Sequence, residues 1–260
     1  MENQIMYKYA SDASVSRVTQ LIKSEMDTEG PCIEALVSQD RFVTYRGMDR
    51  RICTLLDYCG VSYDRLEVGK KVAIFSIWVK SADDAIDGPD SPDGVLARIN
   101  NPQVAFDIEA RQNPALFLTE LLKKKISPSQ YDLVRSALLQ LYGVAQQEKN
   151  ARDMSQYIES SKAVGRMTAN AIYELIKPDI SANHESFYRL FVRIGELADL
   201  VDACLDIKGD SDAISFSPTR TDRLKLYAAT IKEGLILLNG HPGLSFEFLK
   251  SVRRNLKHLL

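Results

Sequence analysis

Apolar residues recur along this chain at spacings of three and four, the period of helices with one buried face. Ile172, Leu175 and Ile176 close one such stripe before Pro178, and Phe187, Leu190, Phe191 and Ile194 open the next. Strand-like alternation is scarce, and no Asn-Gly or Asp-Gly turn separates two strand-like runs. The punctuation agrees. Ser127-Pro128 supplies the cap and first turn of a helix that runs to about Gln147. Pro178 ends a helix that begins near Asp153, Asn183 can cap the next, and Gly209 can end it. Ser217-Pro218 precedes another helix, to about Leu238. Gly240, Pro242 and Gly243 then turn the chain into a last helix, 244–260. Earlier helices are expected over 13–26, 30–44, 48–60, 67–87, 92–99 and 114–125. The sum is an all-α bundle. No internal repeat or flexible linker interrupts it, so residues 1–260 are expected to form a single helical domain.

Composition narrows the function classes. With 45% hydrophobic residues in 260, a sizeable core can be buried, and a net charge of −2 gives no reason to expect nucleic acid as a partner. The basic excess after Thr219 reads as a solvated face. Cys32, Cys53, Cys59 and Cys204 have neither CxxC spacing nor a histidine at zinc-site spacing, so buried free thiols in a reducing compartment are expected. The N-terminus lacks a signal-peptide pattern and no apolar run is long enough to span a bilayer, so a cytoplasmic protein is expected. No Ser/His/Asp arrangement suggests a hydrolase.

Two acidic clusters carry the candidate chemistry. In KVAIFSIWVKSADDAID, an apolar helix runs into Asp83, Asp84 and Asp87. Asp83 and Asp87 are i and i+4, so they share a face and repel by about 0.2–0.5 kcal/mol. They also sit at the C-terminal end of the expected helix, where the macrodipole disfavours anions. Two unfavourable terms in one place suggest a compensating cation, and carboxylate oxygens suit Mg²⁺, which completes its shell with water and substrate phosphate. An acidic helix end running into a solvated turn has the same pattern. In IGELADLVDACLDIKGDSD, Asp202, Asp206 and Asp210 are spaced i, i+4, i+8, with Asp199 three residues ahead. A solvated acidic face would also read this way. Together the clusters are more specific: each ends an apolar helix, and a bundle can bring two helix ends to opposite walls of one cavity.

These segments resemble the class I isoprenoid synthase superfamily, with squalene and phytoene synthases closest. KSADDAID, Lys80 to Asp87, is similar to their first aspartate motif, with Lys80 where that family usually has Arg. YIESSKAVGRM, Tyr157 to Met167, is similar to their Tyr-rich, Gly-containing segment. IGELADLVDACLDIKGD matches their second motif in length. The second cluster also resembles that of chain-elongating trans-prenyltransferases, although Ala203 replaces an expected Asp there. The GPDSPDG after Asp87 likewise departs from their Arg-Arg-Gly stretch. Its i, i+4, i+8 spacing is similar to the second metal motif of class I terpene cyclases.

The resemblance implies a helical bundle around a central apolar cavity, three Mg²⁺ ions at its mouth, and ionisation of an allylic prenyl diphosphate. The chain would then join two prenyl units or cyclise one. Asp83 and Asp87, with Asp84, would hold two ions, and Asp202, Asp206 and Asp210 the third. Lys80, Lys162 and Arg166 would contact diphosphate oxygens, for which Arg forks are well shaped, and Tyr157 would line the pocket. Lys162 and Arg166, at i and i+4, share a helical face. Arg50, Arg51, Arg253 and Arg254 read as solvated charge. Peripheral membrane association and a homodimer are both compatible with this reading. The alternative is a catalytically inactive helical relative that acts as a partner subunit or binds prenyl lipid.

Overall fold

A computed structural model describes the backbone of residues 2–26, 31–43, 45–87, 97–99, 112–181, 184–209 and 215–244, and their side chains except 2–12, 85–87, 205–206 and 208–209. The architecture is all-α, as the periodicity predicts. The helices are α1 (Glu2–Lys23), α2 (Ile33–Ser38), α3 (Met48–Tyr58), α4 (Arg65–Asp87), α5 (Pro114–Lys125), α6 (Pro128–Lys149), α7 (Met154–Ile176), α8 (Glu185–Gly209) and α9 (Arg220–Gly240). Short 3-10 turns lie at Asp40–Phe42, Tyr45–Gly47, Lys177–Asp179 and Pro242–Leu244. The one β feature among the described residues is an isolated bridge between Tyr63 and Ile180. No helix among them is long and apolar enough to cross a membrane.

Most helix ends follow their local sequence. Asn113 Oδ1 accepts from Leu116 N, Ser127 Oγ from Gln130 N, and Asp153 Oδ1 from Gln156 N, each satisfying an orphan amide of the first turn. α3 closes in a Schellman motif. Val61 N donates to Leu56 O and Gly60 N to Asp57 O, with Gly60 at φ 64° and Leu56 and Val61 both buried. Asp64 Oδ1 accepts from Leu66 N and Glu67 N, so α4 starts at Arg65, two residues before the expected 67. α9 starts on a capping box between Thr219 and Asp222. The expected caps and helices at Asn183, 92–96 and 245–260 lie outside the described residues.

The expected helix over 30–44 is corrected. α2 stops at Ser38, where Gln39 turns extended (φ −63°, ψ 144°), and a 3-10 turn follows. The reason is Phe42. In an unbroken helix it would point away from Ile33, Leu36 and Val37. The break lets it join them in the core, with Phe42, Ile33 and Val37 all fully buried. The cysteines also need correction. All four are free, but only Cys53 and Cys204 are buried, and Cys32 is exposed.

The chain forms two compact units, residues 1–136 with 171–187, and 137–170 with 188–260. In the first, α4 is the central helix and packs against α1, α3 and α5. Every residue from Lys71 to Trp78 is buried, so α4 is enclosed on all sides there. Each fully buried Ile, Phe or Trp of this run contributes roughly 1.5–3 kcal/mol. Its polar groups are all partnered. Trp78 Nε1 donates to Thr119 Oγ1 at 2.8 Å, Ser76 Oγ to Val72 O at 2.7 Å, and Lys71 Nζ to Asp179 Oδ2 at 2.6 Å. Gln130 Nε2 donates to the carbonyls of Glu174 and Leu175, tying the start of α6 to the end of α7.

In the second unit, Ala151, Met154 and Tyr157 pack with Leu200, Ala203, Cys204 and Ile207 of α8 and Leu226 of α9. α7 and α8 meet backbone to backbone at Gly165 and Gly195. A Cβ on Gly195 would lie 2.5 Å from the Gly165 carbonyl oxygen, and one on Gly165 would collide with the Gly195 carbonyl.

The Lys71–Asp179 pair gives a direct test. Asp179→Ala leaves a buried ammonium without a partner and should cost about 3–5 kcal/mol in urea denaturation. Lys71→Met should cost less, because Asp179 is nearer to water (18% against 8% side-chain exposure).

Candidate functional site

The first cluster stands on the last turns of α4, which stays helical through Asp87, so Asp83 and Asp87 do occupy one face. The Asp87 side chain lies outside the described residues. Lys80 Nζ lies 2.7 Å from Asp83 Oδ2 and 2.9 Å from Asp84 Oδ1. Arg41, in the 3-10 turn after α2, brings Nη1 to 3.0 Å from Asp84 Oδ2. That oxygen is buried and no donor meets it with hydrogen-bond geometry, so the Arg41 contact is electrostatic rather than directional. Burial opposes the charged form of Lys80, but the hydrogen bonds it donates to Asp83 and Asp84 outweigh it, and its pKa rises above the ordinary lysine value. Lys80, expected to face diphosphate, is thus engaged with the aspartates it follows. Asp83 remains largely exposed.

Arg41 was not legible as a member of this group. It precedes Asp84 by 43 residues, in a stretch whose pattern reads as one continuous helix. The available signal was indirect: an acidic helix end with a single lysine invites a second cation.

The second cluster stands on α8, whose faces divide sharply. Leu200, Ala203, Cys204 and Ile207 are buried on one side. Asp202 and Asp206 fall at positions on the other, one turn apart. The Asp206 side chain, and Asp210 altogether, lie outside the described residues. Asp202 is exposed, yet the protein around it withdraws enough solvent to push its carboxyl above the ordinary range. Both hold together for a carboxylate set back among protein atoms but still open to water. No hydrogen bond or cation among the described residues offsets that desolvation. Asp202 differs in this from Asp83 and Asp84.

The remaining expected residues are placed as follows. Lys162 and Arg166 share a face of α7 and both find glutamates. Lys162 Nζ donates to Glu233 Oε1 of α9 at 2.7 Å, and Arg166 Nε donates to Glu196 Oε1 of α8 at 2.7 Å. Tyr157 is buried, with Phe216 edge-on at a centroid distance of 6.3 Å. Glu196 and Glu233 were missed by sequence reasoning, since nothing local marks which helix faces α7. Gly165, one residue before Arg166, lies so near α8 that an added Cβ would come 2.5 Å from Asp199 Oδ2. Asp83 and Asp84 belong to the first unit and Asp199 and Asp202 to the second. No group of three or more metal-ligating side chains gathers among the described residues. No family model, curated protein or solved structure matches the chain.

Two outcomes are expected. Gly165→Ala and Gly195→Ala each overpack a backbone contact and should lower the free energy of unfolding by about 1–3 kcal/mol, read by chemical denaturation. Asp202→Asn removes a carboxyl whose folded pKa is raised. Such a group contributes stability below its unfolded pKa and loses it as pH rises through the folded value. The variant should therefore melt higher than the parent at pH 7 without added metal, with the gap closing toward pH 3.

Proposed function

We propose that the chain is a Mg²⁺-dependent class I isoprenoid synthase, which ionises an allylic prenyl diphosphate and joins or cyclises the prenyl chain with release of diphosphate. One observation carries the reading. Two long helices with heavily buried faces, α4 and α8, each bear aspartates one turn apart in their C-terminal turns, where the helix dipole opposes negative charge. The resemblance of those segments to squalene and phytoene synthases gives that arrangement a chemistry.

The donor chemistry fits the ion. All candidate ligands are carboxylates, which suit Mg²⁺. Asp202 has no cation to offset its desolvation, and Asp84 Oδ2 has no hydrogen-bond donor. Asp83 and Asp87, with Asp84, would hold two ions, and Asp202, Asp206 and Asp210 a third. Bound Mg²⁺ supplies neutralisation of the diphosphate as it leaves. Lys80, now paired with Asp83 and Asp84, would be free to meet diphosphate oxygens one turn away if those carboxylates held the ion instead. Lys162 and Arg166 would do the same by releasing Glu233 and Glu196. The reading further requires a central apolar cavity, with Tyr157 offering a ring face to cationic intermediates and water kept out.

A second reading has one observation in its favour. Lys80 and Arg41 already neutralise Asp83 and Asp84, as they would in a catalytically inactive relative that binds prenyl lipid or serves as a partner subunit. Incubation with geranyl, farnesyl and geranylgeranyl diphosphates and Mg²⁺ separates the two. The enzyme should release diphosphate, and Asp83→Asn, Asp87→Asn, Asp202→Asn or Asp206→Asn should each slow release at least about 100-fold. The ratio of substrate consumed to hydrocarbon formed distinguishes joining from cyclisation. Folded protein that releases none, yet melts higher with Mg²⁺ and a bisphosphonate, would replace the enzymatic reading with the binding one.

A further inference from the structure

Within the first unit, a hollow of about 470 Å³ is lined by Val15 and Ser16 of α1, Cys32 before α2, Glu34 and Ala35 of α2, and Arg46. That size falls in the range of small-molecule sites, roughly 300–1,000 Å³. Arg46 is only 4% exposed, and its guanidinium has no hydrogen-bond or ion-pair partner among the described residues. Its carbonyl instead accepts from Arg17 Nη2 at 3.0 Å. Arg17 in turn grips buried Asp49, Nε to Oδ2 at 3.0 Å and Nη2 to Oδ1 at 2.7 Å, which commits that carboxylate. Arg17 Nη1 is also buried without a partner. Asp49 is thus committed to Arg17 alone, and the Arg46 guanidinium, which lines the hollow, has no ion-pair partner among the described residues. Arginine cannot shed its proton to escape burial, as lysine can. A withdrawn charge without its opposite is expensive, and an anion in the hollow would offset that cost.

We propose that this hollow binds a small-molecule carboxylate, clasped by the guanidinium of Arg46. The planar fork matches a carboxylate bidentately. Val15 and Ala35 supply an apolar wall for a short body, and the Ser16 hydroxyl a further donor. Glu34 decides the charge of the ligand. Its carboxylate has no ion pair among the described residues, and it repels any second negative charge in the hollow. That repulsion disfavours a phosphate dianion or a diphosphate more than it disfavours a monoanion. The proposal does not rest on the isoprenoid synthase reading and uses none of its residues.

The test is an NMR titration of the full chain at constant ionic strength, following arginine Nε–H signals and the amides of residues 15–16 and 32–35. The probes are isobutyrate, its neutral isostere isobutyramide, and inorganic phosphate. Isobutyrate should shift the Arg46 signal and these amides saturably. Isobutyramide should leave them unmoved, and phosphate should bind more weakly. Arg46→Gln should weaken isobutyrate at least about tenfold. Should that variant fail to fold, Ala35→Trp plugs the hollow from its exposed side and should abolish the response while the far-UV spectrum stays that of the parent. No shift with isobutyrate in the folded parent, an equal response to isobutyramide, or tighter binding of phosphate would each overturn the assignment.

Discussion

Charge taken out of water must meet its opposite, and this constraint organises the molecule more than any single apolar contact. Apolar burial makes α4 the centre of its unit, but the same burial strips solvent from the charged groups along it. Lys71 is enclosed beside Val72 and Ala73 and is tolerated because Asp179 reaches it from the end of α7. Lys70 meets Glu25 at 2.6 Å, and Lys125 meets Glu25 at 3.0 Å and Glu67 at 2.7 Å. Burial alone would raise the Glu25 carboxyl, but hydrogen bonds from Lys70 and Lys125 hold it below the ordinary glutamate range. At the end of α4 the rule holds again, through Lys80 and Arg41.

Against that background, two groups break the pattern. Asp202 is desolvated with no described cation to offset it, and Arg46 is 4% exposed with no ion pair among the described residues. Among the described residues, most withdrawn charges are balanced, and the two that are not are candidate ligand sites. They differ in sign, and so in what they would take. The carboxylate suits a hard cation, in keeping with the proposed diphosphate chemistry, and the guanidinium suits an oxyanion. The same constraint therefore underlies both proposals, while each stands on its own residues.

What was legible in the sequence was local. Helix starts at Ser127 and Asp153 are encoded within a few residues of where they act, so capping rules find them. The helical placement of Asp83, Asp84 and Asp87 and of Asp202 and Asp206 was equally readable, because a stripe of apolar residues fixes the period of each helix. The break at Gln39 was not, since it is forced by where Phe42 must go once α2 has docked. Arg41, Glu196 and Glu233 were hidden for the same reason. Each answers a charge 30 to 71 residues distant, or 43 for Arg41 and Asp84, and only the packed fold brings them together. Nothing local in the sequence marks Arg46 as buried; only the packed fold encloses it.

The buried face of α8 also bears on which prenyl chemistry to propose. The second motif of chain-elongating enzymes would place consecutive aspartates at 202 and 203. Here residue 203 is an alanine packed against the core with Cys204 and Ile207. An aspartate there would carry its charge into apolar surroundings with no cation to meet it, at a cost of several kcal/mol. Ala203 is thus not a ligand lost from an otherwise suitable position; the rotation of the helix excludes that position. What the rotation leaves away from that core is positions 202 and 206, one turn apart, while Asp199 faces Gly165 of α7. A cation held by this helix would be gripped along its axis, one carboxylate per turn, rather than by adjacent residues. The i, i+4, i+8 spacing of Asp202, Asp206 and Asp210 is similar to the second metal motif of class I terpene cyclases, and joining or cyclisation is therefore proposed rather than chain elongation.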